Sequence, residues 1–156
     1  MILKLEEGQV FEVALNQKVC ALGVAARLHR QKRGKAIGLF AYFFGPFERK
    51  LSKGQIEQLK AENAVMRLRC SALYLHDGRW QILGNIKDWA KKDWPLPVFY
   101  RNDLLQGTVL VRYDDNLEEI DESPYSGGDV PLTDKQSIAG SLAVEIMLRQ
   151  KMNIRG

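Results

Sequence analysis

The sequence predicts an α+β protein, a bent antiparallel sheet of about six strands with two main helices packed on it. Three observations carry this expectation. Several short segments alternate apolar with polar residues or run wholly apolar, as strands buried on one or both faces do. Short polar or glycine-bearing turns separate them. Two capping boxes, Ser52-Lys53-Gly54-Gln55 and Thr133-Asp134-Lys135-Gln136, precede residues at helical spacing. With 156 residues and no repeat or low-complexity tract, one domain over residues 1–156 is expected.

The first strand is expected over Gln9 to Leu15, where Phe11, Val13 and Leu15 alternate with Glu12 and Ala14. Asn16-Gln17-Lys18 turns the chain into the apolar run from Val19 to Leu28. The basic stretch from Arg27 to Lys35 forms a charged hairpin tip before the strand from Ala36 to Phe44, which Gly45-Pro46 should end because proline lacks a ladder donor. The first capping box starts a helix over about Lys53 to Ala64. Val65 to Leu75 is a further strand, with Arg67 and Arg69 alternating against Met66, Leu68 and Cys70, and His76-Asp77-Gly78 should turn it into a hairpin with Trp80 to Gly84. One or two helical turns carrying Trp89 are expected in Asn85 to Asp93. Trp94-Pro95-Leu96-Pro97 must be extended, since each proline biases its predecessor away from helix. Val109 to Tyr113 is a strand, Asn116 to Ile120 a short extended piece, and Ser123 to Asp129 a loop. Behind the second capping box Ile138, Leu142 and Ile146 recur every four residues, so a helix from Thr133 should close the fold against the sheet.

The chemistry of the side chains excludes several function classes. Two cysteines, Cys20 and Cys70, are too few for a disulfide scaffold and sit in candidate strands, as buried reduced thiols do. Two histidines and two cysteines, far apart in sequence, give no metal-ligand spacing, so no metal or cofactor is expected. His29 and His76 fall in a basic tip and a polar turn, the places of solvated residues. No phosphate-binding glycine motif precedes a helix. No apolar run reaches the roughly 20 residues that span a bilayer, and no cleavable leader is present, so a cytoplasmic location is expected.

The net charge of +4 hides a split. Residues through Arg101 carry 18 basic and 9 acidic side chains, a balance of +9, while the remainder carries 5 basic and 10 acidic, a balance of −5. The basic tip, with Arg27, Arg30, Lys32, Arg33 and Lys35, has the composition of a phosphate-binding patch and defines one candidate surface, that of a nucleic-acid-binding module using residues 27–35. Phe40, Tyr42 and Phe44 alternate with other apolar residues, which fits burial rather than base stacking. The second candidate surface is acidic: Asp114, Asp115, Glu118, Glu119, Asp121, Glu122, Asp129 and Asp134. Such a run suits the steering and selection of a cationic partner. An enzyme whose polar groups converge only in three dimensions remains a third class.

Gly8-Gln9-Val10-Phe11, the strand through Gly23, Ala41-Tyr42-Phe43-Phe44, Gly78-Arg79-Trp80-Gln81-Ile82-Leu83-Gly84, Trp94-Pro95-Leu96-Pro97-Val98-Phe99 and Tyr113-Asp114-Asp115 stand in one order along the chain. In this it resembles the immunity protein 26 family of bacterial polymorphic toxin systems, over roughly Leu5 to Leu117. The resemblance implies a cytoplasmic antitoxin with no catalytic activity that binds the C-terminal domain of a cognate toxin and blocks it by stoichiometric occlusion. The acidic run is then the expected docking surface, with Asp114, Asp115, Glu118, Glu119, Asp121 and Glu122 as its charges and Tyr113 and Tyr125 as candidate anchors. By analogy with the basic surfaces that hold phosphate in nucleases, a nuclease toxin is the expected partner.

Overall fold

The computed structural model describes residues 3–32, 34–128 and 130–155, so Arg33 of the basic stretch and Asp129 of the acidic run lie outside it. The strands are β1 (Gln9–Ala14), β2 (Val19–Arg30), β3 (Ala36–Glu48), β4 (Met66–Ser71), β5 (Gln81–Asn85), β6 (Phe99–Asp103), β7 (Gly107–Tyr113), β8 (Glu119–Pro124) and β9 (Ile138–Ala139). The helices are α1 (Lys53–Glu57), α2 (Leu73–His76) and α3 (Ser141–Met152). A six-stranded sheet runs β5-β1-β2-β3-β4-β9, and a separate three-stranded sheet runs β6-β7-β8. The fold is α+β as expected, but the strands divide between two sheets, and β9 pairs with β4 in parallel. The chain leaves the first sheet through Trp94-Pro95-Leu96-Pro97, where the prolines can donate no ladder bonds, and returns across its face.

Strand β3 shows why the first sheet is apolar on both sides. Leu39, Ala41 and Phe43 enter one core, while Phe40, Tyr42 and Phe44 enter the other, between the two sheets. Phe40 meets Phe99 of β6 edge to face with ring centroids 5.8 Å apart, and Tyr42 meets Trp94 at 5.2 Å. The strand does not end at Gly45-Pro46. It continues to Glu48 through a register shift opposite β2, where a residue without a ladder donor is tolerated.

Three local expectations give way to tertiary contacts. The hairpin between β4 and β5 does not form, because α2 carries the chain across the first core to the far edge, where β5 pairs with β1. Trp80, at the end of this passage, stacks on Phe11 with centroids 5.4 Å apart and planes at 12°. The first helix is shorter than expected. Ser52 and Gln55 make both capping-box bonds, but the helix ends after one turn and a separate 3-10 turn follows at Ala61–Asn63. Near Trp89 the helical turn is confined to Lys91–Asp93, so Trp89 precedes it.

The C-terminal helix differs most. The capping box at Thr133 does not form, because the Asp134 carboxylate takes both ends of the Arg67 guanidinium at 2.8 and 2.9 Å. The Gln136 N–H meanwhile donates to Tyr100 O. α3 instead starts at Ser141, and α3 is the one long helix among the described residues, so the second main helix is absent there. Leu142 and Ile146 face solvent, as does Ile138 in β9. The buried stripe is Ser141, Val144, Glu145 and Leu148. Glu145, only 1% exposed, accepts from Arg79 at 2.8 and 3.0 Å and from the Trp80 indole at 3.0 Å. A buried carboxylate with three charge-assisted or indole donors thus docks the helix.

Gly23 marks the tightest approach in the first core. A Cβ there would lie 2.3 Å from the tip of the Phe11 ring, directly across the β1–β2 ladder. That ring is held between Trp80 and Phe43 and has nowhere to go. Gly23→Ala should therefore overpack this core and destabilise the protein by about 2 kcal/mol, read as a lowered urea midpoint; an unchanged midpoint would show that the Phe11–Trp80 stack is free to shift.

Candidate partner-binding surface

The acidic run lies on the β7–β8 hairpin. Val109 and Val111 of β7 are buried against the first sheet, which fixes the hairpin's inner face. Its turn is fixed by Asp114, whose carboxylate accepts from the N–H groups of Asn116 at 2.8 Å and Glu118 at 3.0 Å. Leu117 in this turn has φ of 60° yet is buried in the core, so its side chain anchors a backbone conformation unusual for a branched residue.

Several carboxylates of the run are committed to partners within the protein. Asp115 accepts from Arg27 Nε at 2.8 Å, and Lys91 Nζ lies 3.7 Å from its other oxygen. Glu118 meets the His29 ring at 3.2 Å. Asp121 pairs with Arg112 across the ladder at 3.2 Å. Glu122 takes Arg101 at 2.6 and 2.9 Å. Asp134, itself buried, holds Arg67 and lies beside β6, away from β8. Glu119 makes no ion pair among the described residues, and Glu119, Ile120, Asp121 and Glu122 are all exposed.

The proton affinities follow from these contacts. Arg27 hydrogen bonding holds the Asp115 carboxyl below the ordinary carboxylate value. Arg101, followed by a hydrogen bond from Glu119, pushes Glu122 down to about 2. The same Glu122 carboxylate raises its neighbour Glu119. β8 thus displays a carboxylate beside one that already holds the local cation.

The two tyrosines differ in availability. Tyr113 packs edge to face on Phe99, its hydroxyl accepts from the Gln136 amide, and the Arg69 guanidinium lies 4.8 Å over its ring. It supports the surface from behind. Tyr125 is half-buried where β8 leaves the sheet, its N–H bonded to Thr108 O. Sequence reasoning missed an apolar pair at the same end. Leu104 and Leu105, at the β6–β7 tip, are 104% and 96% exposed. Asp103 fixes their turn by accepting from the N–H groups of Leu105 and Gln106. The available signal was two leucines inside the polar turn Asn102-Asp103 to Gln106-Gly107.

The basic stretch is distributed differently from the expected tip. Arg27 is 4% exposed inside β2, where its guanidinium also donates to the carbonyls of Ala26 and Trp94. Arg30 donates to Leu5 O. His29 lies in β2 with its ring half-buried, and His76 ends α2, its Nε2–H donating to Ala36 O at 2.6 Å, so neither is the solvated turn residue expected. Lys32 and Lys35 remain exposed. Cys20 and Cys70 are free and buried, and burial pushes both thiols up to about 12, which keeps them protonated and poorly nucleophilic. Among the described residues, no group of three or more His, Cys, Asp or Glu side chains is arranged to hold a metal ion, and no helix is long and apolar enough to cross a membrane.

These features define an α+β protein with two sheets, whose second sheet turns an acidic strand outward. A family model described as Immunity protein 26 matches residues 6–109, which run from the start of the chain into β7. The chain belongs to this family of immunity proteins, which implies a toxin partner and a generally non-enzymatic role. β8 and α3 lie beyond the matched span. No curated protein and no solved structure matches the chain.

The Asp115–Arg27 pair gives a pH signature with a definite sign. Because the folded carboxyl titrates below its unfolded value of about 4, the pair stabilises the protein above that pH and the contribution is lost as pH falls through the folded value. Asp115→Asn should lower stability at neutral pH by about 1 kcal/mol, a small value because the half-exposed carboxylate is screened by water. It should also flatten the fall in urea midpoint as the pH drops below about 4. A variant that kept the full acid-side slope would place the linkage in other carboxylates.

Proposed function

We propose that the protein is a cytoplasmic immunity protein that binds the C-terminal domain of a cognate toxin and blocks it by stoichiometric occlusion, with no catalysis of its own. Membership in the immunity protein 26 family carries this reading. The docking surface is the β7–β8 hairpin with the adjacent β6–β7 tip. Glu118, Glu119, Asp121 and Glu122 face the partner, while Asp114, Asp115 and Tyr113 hold the hairpin in shape from behind. Tyr125, Leu104 and Leu105 supply the apolar contact that a charged strand lacks, as the desolvated centre of an interface requires. The exposed carboxylates would raise the association rate with a basic surface and disfavour acidic partners. A nuclease toxin has such a surface where it holds phosphate, which makes it the favoured partner. The basic stretch supports a nucleic-acid reading less well, since Arg27 and Arg30 are turned onto acceptors inside the protein.

The test is coexpression of this chain with the C-terminal domain of a candidate cognate toxin. Cells should survive with the chain and die without it, and the two proteins should copurify at equal stoichiometry. Changing Glu118, Glu119, Asp121 and Glu122 to lysine should slow association by at least about tenfold at low salt and abolish protection. Protection by a reversed variant that is still folded, as judged by circular dichroism, would remove the acidic surface from the mechanism. Death in the presence of the unaltered chain would remove the immunity reading for that toxin.

A further inference from the structure

The second sheet has one open side. The outer side of β6 is closed by the segment after Thr133, since Tyr100 N–H donates to Asp134 O at 2.9 Å and Gln136 N–H donates to Tyr100 O at 2.6 Å. In the larger sheet β9 is only two residues long, and α1 lies against β5, with the Lys87 N–H bonded to Glu57 O and Ile56 over Gly84. At β8, in contrast, no backbone hydrogen bond reaches the outer side among the described residues.

The register identifies which groups point outward. Tyr125 N–H donates to Thr108 O, so Tyr125 and Thr108 form a bonded pair. Antiparallel pairs alternate between bonded and non-bonded, which makes Pro124 and Val109 non-bonded, as a residue without an N–H requires. By the same alternation Ser123 bonds Leu110, Glu122 faces Val111 without bonding it, and Asp121 bonds Arg112. The N–H and C=O of Glu122 and the C=O of Pro124 therefore point away from β7. Pro124 at one end and the register shift beside Ile120 at the other confine the open stretch to a few residues around Glu122.

We propose that this edge receives a short extended, cationic segment of the partner protein as a fourth strand of the second sheet, paired with the main chain of Glu122. Charge complementarity names the occupant. Glu119 and Glu122 lie together on one face, where Arg101 is taken up by Glu122 and Glu119 makes no ion pair among the described residues, so a cation on that face of an incoming strand meets the Glu119 carboxylate; on the other face it would share Asp121 with Arg112. A second copy of this chain would bring carboxylates opposite carboxylates, which is destabilising. Ile120, 60% exposed, adds an apolar contact at the bulged end. Main-chain pairing supplies affinity and the carboxylates supply selectivity, as in other strand additions. The proposal rests on the immunity reading only for the source of the strand.

The test uses the full chain and capped peptides of alternating lysine and valine. Saturable binding that weakens with salt, together with slowed exchange of the Glu122 amide proton, is expected. Glu122→Gln keeps the outward N–H and should weaken binding modestly. Glu122→Pro should bind at least about fivefold more weakly than Glu122→Gln, while Asp121 and Ser123 amides stay protected. Should that proline variant lose the β7–β8 ladder, peptides N-methylated on one or the other set of alternate residues decide the matter: one set should abolish binding and the other should not. Absence of saturable binding, equal binding of a glutamate–valine peptide, equal binding of the two N-methylated sets, or self-association through this edge would each overturn the proposal. Peptide binding by a chain that fails to protect cells would leave the edge standing and sink the immunity reading, and the converse pattern would do the reverse.

Discussion

The position of the acidic hairpin depends on one guanidinium. Arg27 lies in β2, the third strand of the larger sheet, where its side chain is almost fully removed from water. Buried guanidinium donors left without acceptors are destabilising, so they must be met. They are met by the Ala26 carbonyl, by the Trp94 carbonyl at the start of the crossing segment, and by Asp115 in the β7–β8 turn. The second sheet is thus tied to the first at its entrance and at its most distal turn. Between these two ties Phe99, Val109, Val111 and Leu117 fill the shared core.

β4 makes a matching clasp from the other side. Arg67 holds Asp134, and Arg69 lies over Tyr113, so two alternate residues of one strand secure the C-terminal segment and the base of the hairpin. The basic first part of the chain and its acidic remainder are therefore complementary within the molecule. Of the β8 carboxylates, Asp121 and Glu122 are paired with Arg112 and Arg101, and Glu119 makes no ion pair among the described residues.

Much of the fold was legible in residue periodicity. β1, β2, β3 and β7 fall where alternation or continuous apolar runs place them, and the first capping box forms with both of its bonds. The placement of the acidic run on an exposed hairpin agrees with its composition, and the family match over residues 6–109 agrees with the order of sequence landmarks. What failed were inferences that treated neighbours in sequence as neighbours in space. β4 and β5 are joined by a short helix and a turn, yet they lie in different parts of the sheet, with β1, β2 and β3 between them. The Thr133 cap and the Ile138–Leu142–Ile146 stripe obeyed helical rules, but Arg67 and Tyr100 offered stronger partners to residues 134–136, and the buried side of α3 carries Ser141 and Glu145, polar residues that a hydrophobic pattern does not count.

By itself the sequence determined the class of fold, strands β1, β2 and β3 of its larger sheet and the division of charge along the chain, because these depend on local period and composition. Only the tertiary structure decided which charges remain outside. A carboxylate is consumed or left free according to whether a cation lies within a few ångströms, and Arg27 reaches Asp115 across 88 residues of chain. The same holds for the open edge of β8, since an edge exists only once the order of strands is set.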